Sequence, residues 1–413
     1  MAETGKQRPG SDSYADSGAF GDGLSPQEHL DLLDRVLHEL WRLGRNIILC
    51  WTPRQRGIDV LVIPFHLIAE VASGPGVASK KAAQGVPFMS EDYFEKLISG
   101  PKQVTSRKMG QIGRMLSHKP HHIDLPFVAG DDLGFKTIES LVRRFGISYV
   151  NDRAVALFDI VNFSINPPLV QVTQLNSLAY SVNSAHSRML SKEIDISFAR
   201  TTTGDGFYIW NRDRSIQANV NLYHFMHLVL ADNAIARSKS KHSATPVLRA
   251  CFNVGSHYEF YQSEGLSPTT YNYIVGDVTI ELARMIESAL PGQVVMGDFH
   301  VPMPDVETNK VRKFNSLQFI EKTQETLSSL EGLTLSGDEI DSIKCYLTGE
   351  RQKDGAFNIK RYRVSDKHGR TRDVFNAKIN IYRKKGEAIF LGSQDHELEG
   401  FKAVERRLPK RRR

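Results

Sequence analysis

The run Ala154-Val-Ala-Leu-Phe-Asp-Ile-Val-Asn-Phe163 constrains what this chain can fold into more than any other stretch. Val, Ile, Leu and Phe follow one another with a single charge among them, Asp159. Such a run suits a strand packed on both faces, so it demands neighbouring strands and covering layers. A carboxylate near the end of a buried strand loses hydration and needs a cation or donors close by. Asp159 also suits the N-cap of a following helix, and the run alone leaves both readings open.

Some forty residues later, Ile194-Asp-Ile-Ser-Phe-Ala-Arg200 and Phe207-Tyr-Ile-Trp210 read as two strands flanking Gly204-Asp205-Gly206. Asp-Gly is a favoured hairpin turn whatever its chemistry. The same hairpin nevertheless sets Asp205 at a sheet end, where it faces Asp159 if the strands are neighbours. Two carboxylates so placed repel unless a divalent metal lies between them. Two-metal phosphoryl and nucleotidyl transfer uses that arrangement, with ions about 3.5–4 Å apart. A third block, Tyr271 to Val295, reads strand, Gly turn, helix, Pro291-Gly292 break, strand.

These blocks together resemble the catalytic domain of the class III adenylate and guanylate cyclases. The matching residues are Phe-Asp-Ile-x-x-Phe-Ser at 158–164, Thr-Gly-Asp-Gly at 203–206 and Gly-(x)7-Arg at 276–284. Pro-Gly-Gln-Val at 291–294 and Leu248-Arg-Ala-Cys-Phe-Asn-Val-Gly255 complete the set. Each motif is weak alone; five in register over about residues 150–300 are strong.

The resemblance implies an α/β (α+β) protein with a ferredoxin-like βαββαβ palm, a mixed sheet carrying helices on one face. It implies conversion of a nucleoside triphosphate to a 3′,5′-cyclic monophosphate and pyrophosphate. Asp159 and Asp205 are then the ligands of two Mg²⁺ or Mn²⁺ ions. The backbone amides of Ile160, Val161, Asn162 and Phe163 are expected to cradle phosphate oxygens, as helix N-termini do. Arg284 is expected to meet charge developing at the α-phosphate. Because the family divides these groups between subunits, the resemblance also implies a head-to-tail homodimer.

The chain departs from the family at the base-selecting positions. Thr201 stands where a Lys is usual, Tyr273 where an Asp is usual, and Ile280 where an Asn is usual. A standard purine pocket is therefore not expected, and a smaller pyrimidine base suits the bulky Tyr273 with the short Thr201. The pyrimidine cyclases of bacterial antiviral systems are the relatives that this suggests. A degenerate cyclase module that binds nucleotide without turnover is the alternative, and a nucleic-acid-associated protein is a third.

Around this block the sequence divides into a polar leader at 1–24, an α/β region at 25–150, the palm at 151–312, a β-rich region at 313–405 and a basic tail at 406–413. Ser25-Pro26 opens a helix with a 3.6-residue stripe of Leu30, Leu33, Val36, Leu37, Leu40 and Trp41. Residues 46–51 and 58–63 read as strands, 90–98 and 136–145 as helices, and 73–85 as a loop. His118, His121, His122 and Asp124 suit a solvated loop better than a metal site. Lys360, on a basic strand of the tail region, is a candidate for the triphosphate.

The three cysteines match no metal or disulfide spacing, and no apolar run is long enough to span a bilayer. A cytoplasmic protein is expected, without a membrane span. The net charge of +6 and the basic tail are read as solvated, so nucleic acid is not the expected partner.

Overall fold

The computed structural model describes residues 25–72, 90–240, 244–263, 270–351, 357–365, 369–393, 398 and 402–403. The expected leader, the 73–85 loop and the basic tail lie outside the described residues. Two compact units emerge, one from the residues up to Glu91 with Pro101–Gly146, the other from Asp92–Gly100 with the residues from Ile147 onward.

In the first unit, α1 (Pro26–Trp41) starts from a capping box. Ser25 Oγ accepts from Glu28 N, and the Glu28 carboxylate accepts from Ser25 N at 2.7 Å. Its buried stripe packs on a three-stranded antiparallel sheet of β1 (Asn46–Pro53), β2 (Ile58–Pro64) and β3 (His121–Ile123). Among the described residues four further helices precede the palm, the first three being α2 (His66–Ala72), α3 (Glu91–Ser99) and α4 (Ser106–Leu116), with all but the first residue of α3 in the second unit. The fifth, α5 (Phe135–Arg144), carries Glu139, whose carboxylate accepts from Trp51 Nε1 at 2.8 Å and from the backbone amides of Lys102 and Gln103.

From Ile147 onward the second unit runs through β4 (Ile147–Ile160), α6 (Pro168–Ser191), β5 (Phe198–Thr202), β6 (Gly206–Asn211), α7 (Ile216–Lys239) and β7 (Leu248–Ser263). The four strands lie side by side as β7-β4-β6-β5, each antiparallel to its neighbour. This is the ferredoxin-like βαββαβ order. Strand β5 starts later than the sequence suggests. Glu193, with φ of 57°, and the bond from Ile194 N to Met189 O are still closing the C-terminus of α6, so Ile194–Ser197 is not strand.

Then come β8 (Thr270–Val275), α8 (Asp277–Ser288), β9 (Val294–Gly297) and the hairpin β10 (His300–Asp305) with β11 (Lys310–Asn315). Helix α9 (Ser316–Thr326) precedes β12 (Thr334–Leu335), β13 (Asp338–Leu347), β14 (Gly349–Arg351), β15 (Phe357–Ile359), β16 (Arg361–Ser365), β17 (Thr371–Arg383), β18 (Ile389–Leu391) and β19 (Lys402–Ala403). Strand β9 runs parallel to β7, β17 pairs with β9, and β13 pairs with β17. Strands β12, β13 and β16–β19 thus continue the palm sheet, while β14 and β15 form a two-stranded sheet of their own.

Helices cover both faces of this sheet, which corrects the expectation of one covered face. Ala154, Ala156, Phe158 and Ile160 point to α6 and α7, whereas Val155 and Leu157 point to α8. The unbroken apolar run of β4 requires this, since both of its alternating sides must be buried. Helix α7 is enclosed almost all round, because α6, α9, β10 and β12 add to the sheet beneath it. Some of its polar residues are bonded inward, whereas both ring nitrogens of buried His227 have no hydrogen-bond partner among the described residues. Asp232, with no exposed surface, accepts from the hydroxyls of Ser181, Ser184 and Ser336.

Candidate active site

Asp159 is the penultimate residue of β4, and the register of the sheet defines what stands beside it. Asp159 lies opposite Gly206 on β6 and opposite Arg249 on β7. The hairpin that carries Asp205 is pinned to the same strand end, since Ile160 N donates to Asp205 O at 3.0 Å. Thr203 N donates to Gly206 O to close the turn, and Gly204 takes φ of 100°. The Asp205 carboxylate is thereby brought close enough to act on that of Asp159.

The Asp159 side chain is 10% exposed and already has a cation. Arg249 Nε donates to Asp159 Oδ2 at 2.6 Å, and its other arm donates to Ala289 O at 3.1 Å, just past the end of α8. Burial pushes the Asp159 carboxyl above its ordinary range, Arg249 pulls it down, and Asp205 pushes it up again. The net direction is upward.

The same row crosses the sheet. Phe158, Ala250, Val294, Ala377 and Leu347 are successive neighbours and all belong to the core beneath α6 and α7. One step toward the strand ends, on the opposite face, stand Asp159, Arg249, Gln293, Lys378 and Tyr346. Lys378 is 4% exposed. Gln293 Nε2 donates to Asn376 Oδ1, and Asn376 donates to Thr348 Oγ1 and Ser393 O, which fixes this part of the row.

The turn after β4 narrows the expected phosphate cradle. Ile160 N and Val161 N are spent on Asp205 O and Val247 O, both at 3.0 Å. Asn162, with φ of 59°, turns the chain into the short helical segment Phe163–Ile165. The amides of Asn162 and Phe163 have no protein acceptor among the described residues.

Thr201 lies on β5 opposite Tyr208, and Tyr273 on β8 opposite Phe260, on whose ring it stacks with centroids 5.5 Å apart. Strands β5 and β8 adjoin, so Thr201 and Tyr273, the two residues expected to meet the base, sit on neighbouring strands. Arg284 is half-buried on α8, the helix held against β4 and β7 by Val278, Leu282 and Met285. Lys360 falls between β15 and β16, its amide donating to Thr348 O.

In the first unit, His122 Nδ1 is 2.8 Å from Asp59 Oδ1, and Arg56 faces Asp124. Among the described residues, no three His, Cys, Asp or Glu side chains gather as a metal site. The two carboxylates at the palm suit a divalent cation in donor type, and any further ligands must be water or substrate oxygens.

Sequence reasoning missed Arg249 and Lys378. Arg249 is the one charge in the apolar run Leu248–Val254, the same signal that singled out Asp159. Lys378 is likewise the lone charge in Val374–Tyr382.

No family model and no curated protein matches the chain. Among solved structures it is similar to catalytic domains of class III adenylyl and guanylyl cyclases. With the adenylyl cyclase CyaB from P. aeruginosa it shares 11% identity at a TM-score of 0.30, over 56% of this chain and 95% of that one. With the guanylate cyclase domain of RhGC from Catenaria anguillulae, solved in complex with GTP, the values are 13% and 0.29, over 41% and 97%. The guanylyl cyclase Cya2 is similar at 12% identity and a TM-score of 0.28, over 55% and 91%.

Proposed function

We propose that this chain is a nucleotide cyclase that converts a nucleoside triphosphate to its 3′,5′-cyclic monophosphate and pyrophosphate. The observation that carries the reading is that Asp159 lies opposite Gly206, with the turn residue Asp205 beside it, at one end of a ferredoxin-like sheet. Asp159 and Asp205 would hold Mg²⁺ or Mn²⁺, and when bound these ions supply a lowered pKa for the ribose 3′-hydroxyl and charge neutralisation for the triphosphate. Asn162 N and Phe163 N are available to donate to phosphate oxygens. Lys378, on the same row as Asp159, adds positive charge where pyrophosphate would leave.

Arg284 of a second copy would meet the charge that develops at the α-phosphate, in a head-to-tail homodimer with two equivalent sites. Thr201 and Tyr273 would line the base pocket. Tyr273 fills space with an aromatic face instead of offering a carboxylate, which favours a pyrimidine. Among the described residues no helix is long and apolar enough to cross a membrane.

Arg249 gives the second reading its support. With a guanidinium on Asp159 and Ile280 in place of an Asn, the domain would bind nucleotide without turning it over. Incubation with Mn²⁺ and each of ATP, GTP, CTP and UTP separates the two. A cyclic product from at least one supports the cyclase; nucleotide binding without product from a folded dimer supports the binding module.

A further inference from the structure

A carboxylate that holds a divalent cation is expected to present its oxygens to the ion. Asp159 presents one of them elsewhere. Its Oδ2 accepts from Arg249 Nε at 2.6 Å, within a pair whose side chains are 10% and 28% exposed. The contact is built into the sheet, because the two residues are direct cross-strand partners. The guanidinium is also anchored at its far side, where it donates to Ala289 O.

We propose that Arg249 is the resident counter-ion of the Asp159–Asp205 pair, and that a divalent cation must displace it from Asp159 Oδ2 to gain its full set of ligands. The inference rests on the reading of these two carboxylates as a cation site. With Arg249 in place, Asp159, Asp205 and Arg249 sum to one negative charge, and Asp159 Oδ1 with Asp205 is what remains for a single ion. With the guanidinium withdrawn, the pair carries two negative charges and both Asp159 oxygens are open. Arg249 therefore keeps the cation-free site from repelling itself, at the cost of cation affinity. The same side chain ties Asp159 to the end of α8, the helix that bears Arg284, so cation loading is coupled to that helix end.

The test is a Mn²⁺ titration of the nucleotide-free full-length chain, read from the electron paramagnetic resonance signal of free Mn²⁺. Arg249→Gln is expected to bind Mn²⁺ roughly tenfold or more tightly than wild type, since a nearby positive charge is removed. Without the metal it is expected to unfold at a lower temperature than wild type, and to recover more of that loss when Mn²⁺ is added. Arg249→Lys keeps a charge but lacks a fork that can span Asp159 and Ala289 O, so it is expected to fall between the two. This variant carries the test if Arg249→Gln does not fold. Asp205→Asn is expected to lose the binding.

Wild-type Mn²⁺ affinity in a folded Arg249→Gln, with Asp205→Asn still abolishing binding, would overturn the role of Arg249 and leave the cation site standing. No Mn²⁺ binding by wild type or by Arg249→Gln would overturn both.

Discussion

Gly206 packs so closely under Phe158 that a Cβ on it would stand 1.9 Å from the Phe158 carbonyl oxygen. That approach holds the β5–β6 hairpin tight against β4 and sets Asp205 beside Asp159. Any side chain at 206 must push the hairpin away from the strand. Gly206→Ala is therefore expected to lower stability by about 3 kcal/mol or more, and to abolish Mn²⁺ binding in whatever fraction folds. Urea unfolding and a Mn²⁺ titration check both; an unchanged midpoint would contradict the packing argument.

The proposed division of the site between two copies has a stoichiometric consequence. Asp159→Ala and Arg284→Ala chains are each expected to be inactive. Mixed in equal amounts, they are expected to regain about a quarter of wild-type activity, since half the dimers carry one intact site of two. An inactive mixture with proven subunit exchange would rule out a site divided between copies. Full activity in Arg284→Ala alone would remove that arginine from the mechanism.

Base choice is expected to follow residues 201 and 273. The double variant Thr201→Lys with Tyr273→Asp restores the side chains usual in adenylate cyclases and is expected to shift the kcat/KM ratio of ATP to CTP or UTP by about tenfold or more toward ATP. Unaltered ratios in an active double variant would place the base pocket elsewhere.

Lys102, 1% exposed in the first unit, gives a pH signature of its own. Burial drives its ammonium from 10.5 down to about 7, with Arg143 adding to the effect against Glu139. Between those two values the unfolded chain holds the proton and the folded chain does not, so stability rises with pH from about 7 to about 10.5. Lys102→Met is expected to remove that slope. Urea midpoints at pH 7 and pH 9.5 test it; the same slope in the variant would show that another group titrates there.

Local pattern made much of this molecule readable. Ser25-Pro26 marks the start of α1, and the apolar run ending at Asp159 gives β4. The long helices α6 and α7 follow from their apolar residues, and the Asp-Gly hairpin falls where its turn chemistry puts it. What could not be read depends on register between distant strands. That Arg249 faces Asp159 follows from the alignment of β4 with β7, about ninety residues apart, and no local periodicity carries it. The joining of β17 to β9 is of the same kind. The place of α8 on the second face was implicit in the unbroken hydrophobicity of β4. The loss of the Ile160 and Val161 amides to Asp205 O and Val247 O appears only when the three segments meet.

The carboxylate pair is tested most directly by mass spectrometry of the products formed with Mn²⁺ from each of the four nucleoside triphosphates. Wild type and Asp205→Asn are compared, with folding of both confirmed by circular dichroism. Wild type is expected to yield a 3′,5′-cyclic monophosphate and an equal amount of pyrophosphate from at least one triphosphate, and Asp205→Asn neither. Cyclic product at the wild-type rate from Asp205→Asn, or none from the wild-type dimer with any of the four, would contradict the assignment.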